Sequence, residues 1–152
     1  MSAKHIVPFI FEDKKDVEAI LGDSKTFDIH EAVLDYGLST KKLLYLDYKG
    51  EEGNEIVHYM LDYESLHNVE LAAQDELEEL GDHDDYEYLP EKIKAVNKII
   101  ATRGYGLFTY PTFSDYYALF IAKLEHKAEL LRVDLLLDDD IPEQERFIQY
   151  YD

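Results

Sequence analysis

Two apolar runs, Tyr105 to Tyr110 and Tyr116 to Ile121, stand five residues apart, and the residues between them are Pro111, Thr112, Phe113, Ser114 and Asp115. Aromatic and β-branched residues suit a pleated, half-buried surface, and the Pro, Ser and Asp between the runs supply turn chemistry. The spacing predicts two antiparallel strands joined by a five-residue turn. A chain that commits to such a hairpin must find further elements to cover it, so the rest of the sequence is read for helices and a third strand.

Asp13 ahead of Val17, Ile20 and Leu21, with Gly22 behind, predicts a short helix with an N-cap and a glycine stop. Ser24 is placed to cap a second helix with Ile29, Val33 and Tyr36 on its apolar face and Gly37 at its end. Leu43 to Leu46, between Lys41-Lys42 and Lys49-Gly50, predicts a buried strand. Ile56, Tyr59, Met60, Tyr63 and Leu66 recur at helical spacing after the Gly50 to Gly53 turn, and a second helical stretch, Val69, Ala73, Leu77 and Leu80, runs to Gly81. Pro90 opens the best-punctuated helix, with Glu91 in its first turn, Ile93, Val96 and Ile100 on one face, and Lys98 and Arg103 before Gly104. Leu124, Ala128 and Leu131 predict another helix, and residues 141–152 read as a last helical turn or a mobile tail. The N-terminus to Phe11 is a short apolar run broken by Pro8, without the features of a signal peptide. The whole reads as one α+β domain over residues 1–152: a small antiparallel or mixed sheet of about three strands with helices packed on it.

Charge narrows the chemistry. The chain carries 34 acidic against 15 basic residues, a formal charge of -19, yet 46% of it is hydrophobic. That apolar fraction is too high for disorder, so the reading is a folded acidic protein. Such a charge repels phosphate backbones and anionic lipid, which makes direct nucleic-acid or membrane contact a poor expectation and a basic protein partner the better one. No run approaches the roughly 18 apolar residues of a membrane span. With no cysteine there is no disulfide, thiolate zinc site or cysteine nucleophile, and a cytoplasmic location fits.

The acidic residues are also unevenly placed. Glu51 to Glu91 holds fifteen of them and no lysine or arginine, and eight crowd between Asp75 and Glu87. Adjacent like charges repel by roughly a kcal/mol per pair even in water. A solvated face is the ordinary account of such a run. The functional account is an electrostatic landing site made by Glu78, Glu79, Asp82, Asp84, Asp85 and Glu87, with Tyr86 and Tyr88 as aromatic anchors.

Other chemistry finds ingredients without an arrangement. Glu55, His58 and Asp62 share a helical face and are weak metal-ligand candidates, and Gly81 to Asp85 lacks the ligand spacing of a calcium loop. No serine sits in a nucleophile elbow, and Gly104-Tyr105-Gly106 lacks the third glycine of a dinucleotide loop. No catalytic residue and no cofactor is expected.

Two stretches, the Leu43 to Tyr48 strand with the helix through Tyr63, and Leu89 to Ile121 with its segment Phe113-Ser114-Asp115-Tyr116-Tyr117-Ala118-Leu119-Phe120, resemble an uncharacterised family of small acidic bacterial α+β domains. The resemblance covers about a third of the chain. It implies a cytoplasmic domain of the kind often encoded near toxin and immunity genes, and it carries no active site. A tryptophan that such domains often hold near the first helix is missing here. The expectation is therefore an immunity- or antitoxin-like module that covers a basic partner such as a nuclease toxin. A nucleic-acid mimic that blocks a DNA-binding protein and a metal-dependent hydrolase are the alternatives.

Overall fold

A computed structural model describes residues 3–22, 29–47, 54–81, 88–112, 116–135 and 140–152. Among them are seven α-helices and four strands: α1 Ala3–Ile10, α2 Lys14–Leu21, α3 Ile29–Ser39, β1 Leu44–Asp47, α4 Glu55–His67, α5 Gln74–Leu80, α6 Leu89–Ile100, β2 Tyr105–Tyr110, β3 Tyr116–Lys123, α7 Lys127–Arg132 and β4 Gln149–Tyr150. The fold class is α+β, with an open antiparallel sheet in the order β1-β3-β2-β4.

The hairpin is the centre of this sheet. β2 and β3 pair from Tyr105↔Lys123 to Tyr110↔Ala118, and their side chains alternate between two cores. Phe108, Tyr110, Ala118, Phe120 and Ala122 face α1, α2, α3 and α7. Leu107, Leu119 and Ile121 face α4, α5 and α6. A sheet covered on both faces has no solvent side, which is why these strands read as near-continuous apolar runs rather than as apolar and polar in turn. The architecture is three layers, helices over sheet over helices.

Among the described residues four strands, not about three, make the sheet. The extra one, β4, pairs only Phe108↔Tyr150 and Thr109↔Gln149 against β2. Asn97 of α6 completes that edge: its Oδ1 accepts from Leu107 N at 2.7 Å, while its Nδ2 donates to Leu107 O at 3.2 Å and to Tyr151 O at 2.7 Å. β1 is an edge strand and not a fully buried one. Leu46 is buried, but Tyr45 is exposed and stacks on Tyr116 at 4.7 Å.

Several boundaries follow local chemistry. Asp13 caps α2 by accepting from Lys15 N at 2.9 Å. Gly37 does not end α3 but lies inside it, buried where a Cβ would overlap the Leu43 side chain. The position needs glycine for close approach rather than as a stop. Gly104, at φ 86°, ends the 3-10 turn after α6 and hands the chain to β2. α4 spans its whole predicted stretch, although Leu66 is 61% exposed and off the core face. Residues 69–73 are not helical: the Glu64 carboxylate accepts from Leu71 N at 2.6 Å and Ala72 N at 3.4 Å, and the helix restarts at α5. The apolar N-terminal run is helical despite Pro8, which is exposed. Before α7 the chain makes a 3-10 turn, Leu124–His126. Ser24, the hairpin turn at 113–115 and the acidic loop at 82–87 lie outside the described residues. Among the described residues, no helix is long and apolar enough to cross a membrane.

Candidate functional site

The acidic face is anchored by α5. Leu77 and Leu80 are buried in the core shared with α4 and α6, which turns Asp75, Glu78 and Glu79 to solvent. Glu78 accepts from Gln74 Nε2 at 3.4 Å, and none of the three carboxylates pairs with a cation among the described residues. Glu76 is different. Its Oε1 accepts from Ala73 N at 2.8 Å to cap the helix and lies 3.1 Å from Arg103 Nη2, which also reaches Glu70 at 3.7 Å. One of the protein's own arginines therefore draws in two carboxylates of the run. Tyr88, at the entry to α6, is 54% exposed. Of the predicted partner-binding residues, Glu78, Glu79 and Tyr88 are thus at the surface, while Asp82, Asp84, Asp85, Tyr86 and Glu87 lie outside the described residues.

The three candidate metal ligands of α4 stand along one helix. Among the described residues no three histidine or acidic side chains gather closely enough to hold a metal ion. Glu55, His58 and Asp62 do share a face, but the seven residue steps from Glu55 to Asp62 separate the ends by about 10 Å along the helix axis. His58 and Asp62 are also exposed.

A second site is a cavity of about 90 Å3 between the α1–α2 connection, the α3–β1 turn and α4. Ile10, Phe11 and Ile121 form its buried apolar floor. Two linked polar sets stand above it. Asp16, buried, accepts from the Tyr36 hydroxyl at 2.5 Å and lies 3.8 Å from Lys42 Nζ. That hydrogen bond, with burial and the nearby negative charge, raises the Tyr36 pKa. Glu12 accepts from the Tyr63 hydroxyl at 3.2 Å and lies 3.1 Å from His67 Nδ1, and the Tyr63 and His67 rings meet at 4.1 Å.

Burial pushes both Tyr59 and Tyr63 well above the usual phenol range, and the Glu12 carboxylate adds to the shift at Tyr63. Both hydroxyls stay protonated and serve as donors, Tyr59 to Lys42 O at 2.5 Å. At the mouth, Lys41 holds a left-handed backbone at φ 63°, a conformation that costs a lysine about 1 kcal/mol relative to glycine.

Sequence reasoning missed this cavity because its walls come from four separated segments. The only local signal, Lys41-Lys42 beside a strand, reads equally well as a strand boundary.

No curated protein and no solved structure is significantly similar to the chain. A family model does match, over residues 8–141, from within α1 to past α7 and short of β4. The chain belongs to that family, described as a domain of unknown function, DUF6630.

Proposed function

We propose that the protein is an acidic protein-binding module, immunity- or antitoxin-like, that covers the positive surface of a basic partner such as a nuclease toxin. The observation that carries this reading is the outward display of Asp75, Glu78 and Glu79 on a helix fixed to the core by Leu77 and Leu80. Rigid carriage matters because carboxylates held in place lose less entropy on docking than carboxylates on a loose chain. A nuclease holds its substrate in a positive cleft, and fixed carboxylates compete there with phosphates. Tyr88 supplies the large amphipathic side chain that short-range affinity requires. The net charge of -19 lowers the barrier to encounter with a cationic surface at a distance.

The test is retention of a basic protein from native cells by the full chain, followed by association kinetics with that protein at two ionic strengths. Glu78→Lys with Glu79→Lys should slow association roughly tenfold at low salt and much less at high salt. Tyr88→Ala should act chiefly on dissociation. A captured partner whose association responds to neither salt nor charge reversal overturns the assignment of this face.

A further inference from the structure

Most of the charged groups lining the cavity above Ile10, Phe11 and Ile121 are already satisfied within the protein. Asp16 is held by Tyr36 and Lys42, Glu12 by Tyr63 and His67, and Asp13 by the α2 backbone. Lys41 and Asp62 are the exceptions. Both line the cavity, from the α3–β1 turn and from α4 respectively, and neither side chain forms a hydrogen bond or ion pair with the other or with any other described residue.

An ammonium and a carboxylate, each without a hydrogen bond or ion pair among the described residues, at the mouth of a cavity with an apolar floor complement a molecule that carries both charges. The room, about 90 Å3, is enough for a ligand of a few heavy atoms. Leu66, largely exposed and also lining the cavity, offers a ligand's apolar part a surface at the rim. Lys41 adds a second line of argument. Its left-handed backbone is the helix-end conformation that glycine adopts without strain, yet the chain carries a long cationic side chain there. Strain of this kind is retained where the side chain has a use.

We propose that this cavity binds a small zwitterion of the α-amino acid class, with its carboxylate on Lys41 and its ammonium on Asp62. The site is separate from the acidic face of α5 and does not depend on it. Both charges are solvated at the mouth, so each contributes modestly and the affinity is on the order of millimolar.

The test is calorimetric titration and thermal melting of the full chain with glycine, L-alanine and L-serine, against sodium acetate and methylammonium chloride at matched ionic strength. At least one amino acid should give a saturable rise in melting temperature that neither single-charge control gives. Asp62→Asn and Lys41→Gly should each weaken binding at least tenfold. Lys41→Gly should melt no lower than the parent, because it relieves the left-handed backbone, so its loss of binding cannot be put down to unfolding. Glu78→Lys with Glu79→Lys should leave the titration unchanged, which separates failure of this site from failure of the acidic face. The proposal is overturned if none of the three amino acids gives a saturable response, if acetate or methylammonium matches them, or if both cavity variants bind like the parent.

Discussion

Asn97 shows how one polar side chain closes an edge that the backbone leaves open. β4 covers β2 only at Phe108 and Thr109, so Leu107 turns an N–H and a C=O toward α6, and Asn97, 1% exposed, satisfies both. Asn97→Ala strands two buried backbone groups and frees Tyr151 O, and it should destabilise the protein by about 3 kcal/mol in urea unfolding. Asn97→Leu fills the volume without the bonds and should not rescue it. A second residue-scale expectation concerns Tyr59 and Tyr63, whose phenol pKa values are raised in the folded state by burial. In the unfolded chain these groups ionise near the ordinary phenol value of 10.0, so above that pH the unfolded state binds fewer protons than the folded one. The stability they contribute is complete below pH 10 and falls as pH rises through 10 toward the folded values, by about 1.4 kcal/mol per pH unit for each retained proton. Denaturation midpoints followed across that range, with Tyr59→Phe and Tyr63→Phe for comparison, should show a shallower decline in each variant.

Among the elements, those with local punctuation were legible from residues alone. α6 has Pro90, Glu91 and Lys98 at the positions that helix ends favour, and α2 has its Asp13 cap. The hairpin was legible because burial on both faces leaves unbroken apolar runs. Elements defined by distant contacts were not. Gly37 reads as a helix stop until Leu43 is seen packed against it, and the N-terminal run reads as broken at Pro8 until Ile6, Val7 and Ile10 are seen buried against the sheet. β4 has the weakest signal, since two residues have no period. Its role predicts a consequence. Deleting residues 149–152 removes the Tyr150 ring from Phe108, 5.2 Å away, and the carbonyl of Tyr151 from Asn97, and it opens the β2 edge. The shortened chain should lose stability and form concentration-dependent oligomers by light scattering, because an uncovered strand edge pairs with other chains. A shortened chain that stays monomeric at high concentration would show that α6 alone guards the edge. The candidate sites divide in the same way. Glu78, Glu79 and Tyr88 were legible as surface residues from charge and pattern, whereas the cavity required the α1–α2 connection, the α3–β1 turn, α4 and β3 to be brought together.

At the scale of the whole molecule, the two cores on either side of one sheet hold together a chain whose charges mostly repel. A net charge of -19 on a small domain disfavours the compact state, and added salt screens that repulsion over a Debye length of about 10 Å at 0.1 M. Local ion pairs work against this trend. Arg146 lies 2.7 Å from Asp134 in a partly buried pair, and Arg103 serves Glu70 and Glu76, so salt weakens a few attractions while it weakens many repulsions. The 34 carboxylates against 15 lysines and arginines decide the balance: most acidic side chains have no cation to match them. The melting temperature should therefore rise with sodium chloride between low and physiological ionic strength, by about 4 °C if screening recovers roughly 1 to 2 kcal/mol. Over the same range the association rate with a cationic partner should fall, because one field governs both effects. Stability rising while association slows is the signature of an unneutralised acidic exterior. A melting temperature that falls with salt would mean that Asp134, Arg146, Arg103 and their neighbours hold the fold by attraction, and that the carboxylates of the α5 face are not free to meet a partner.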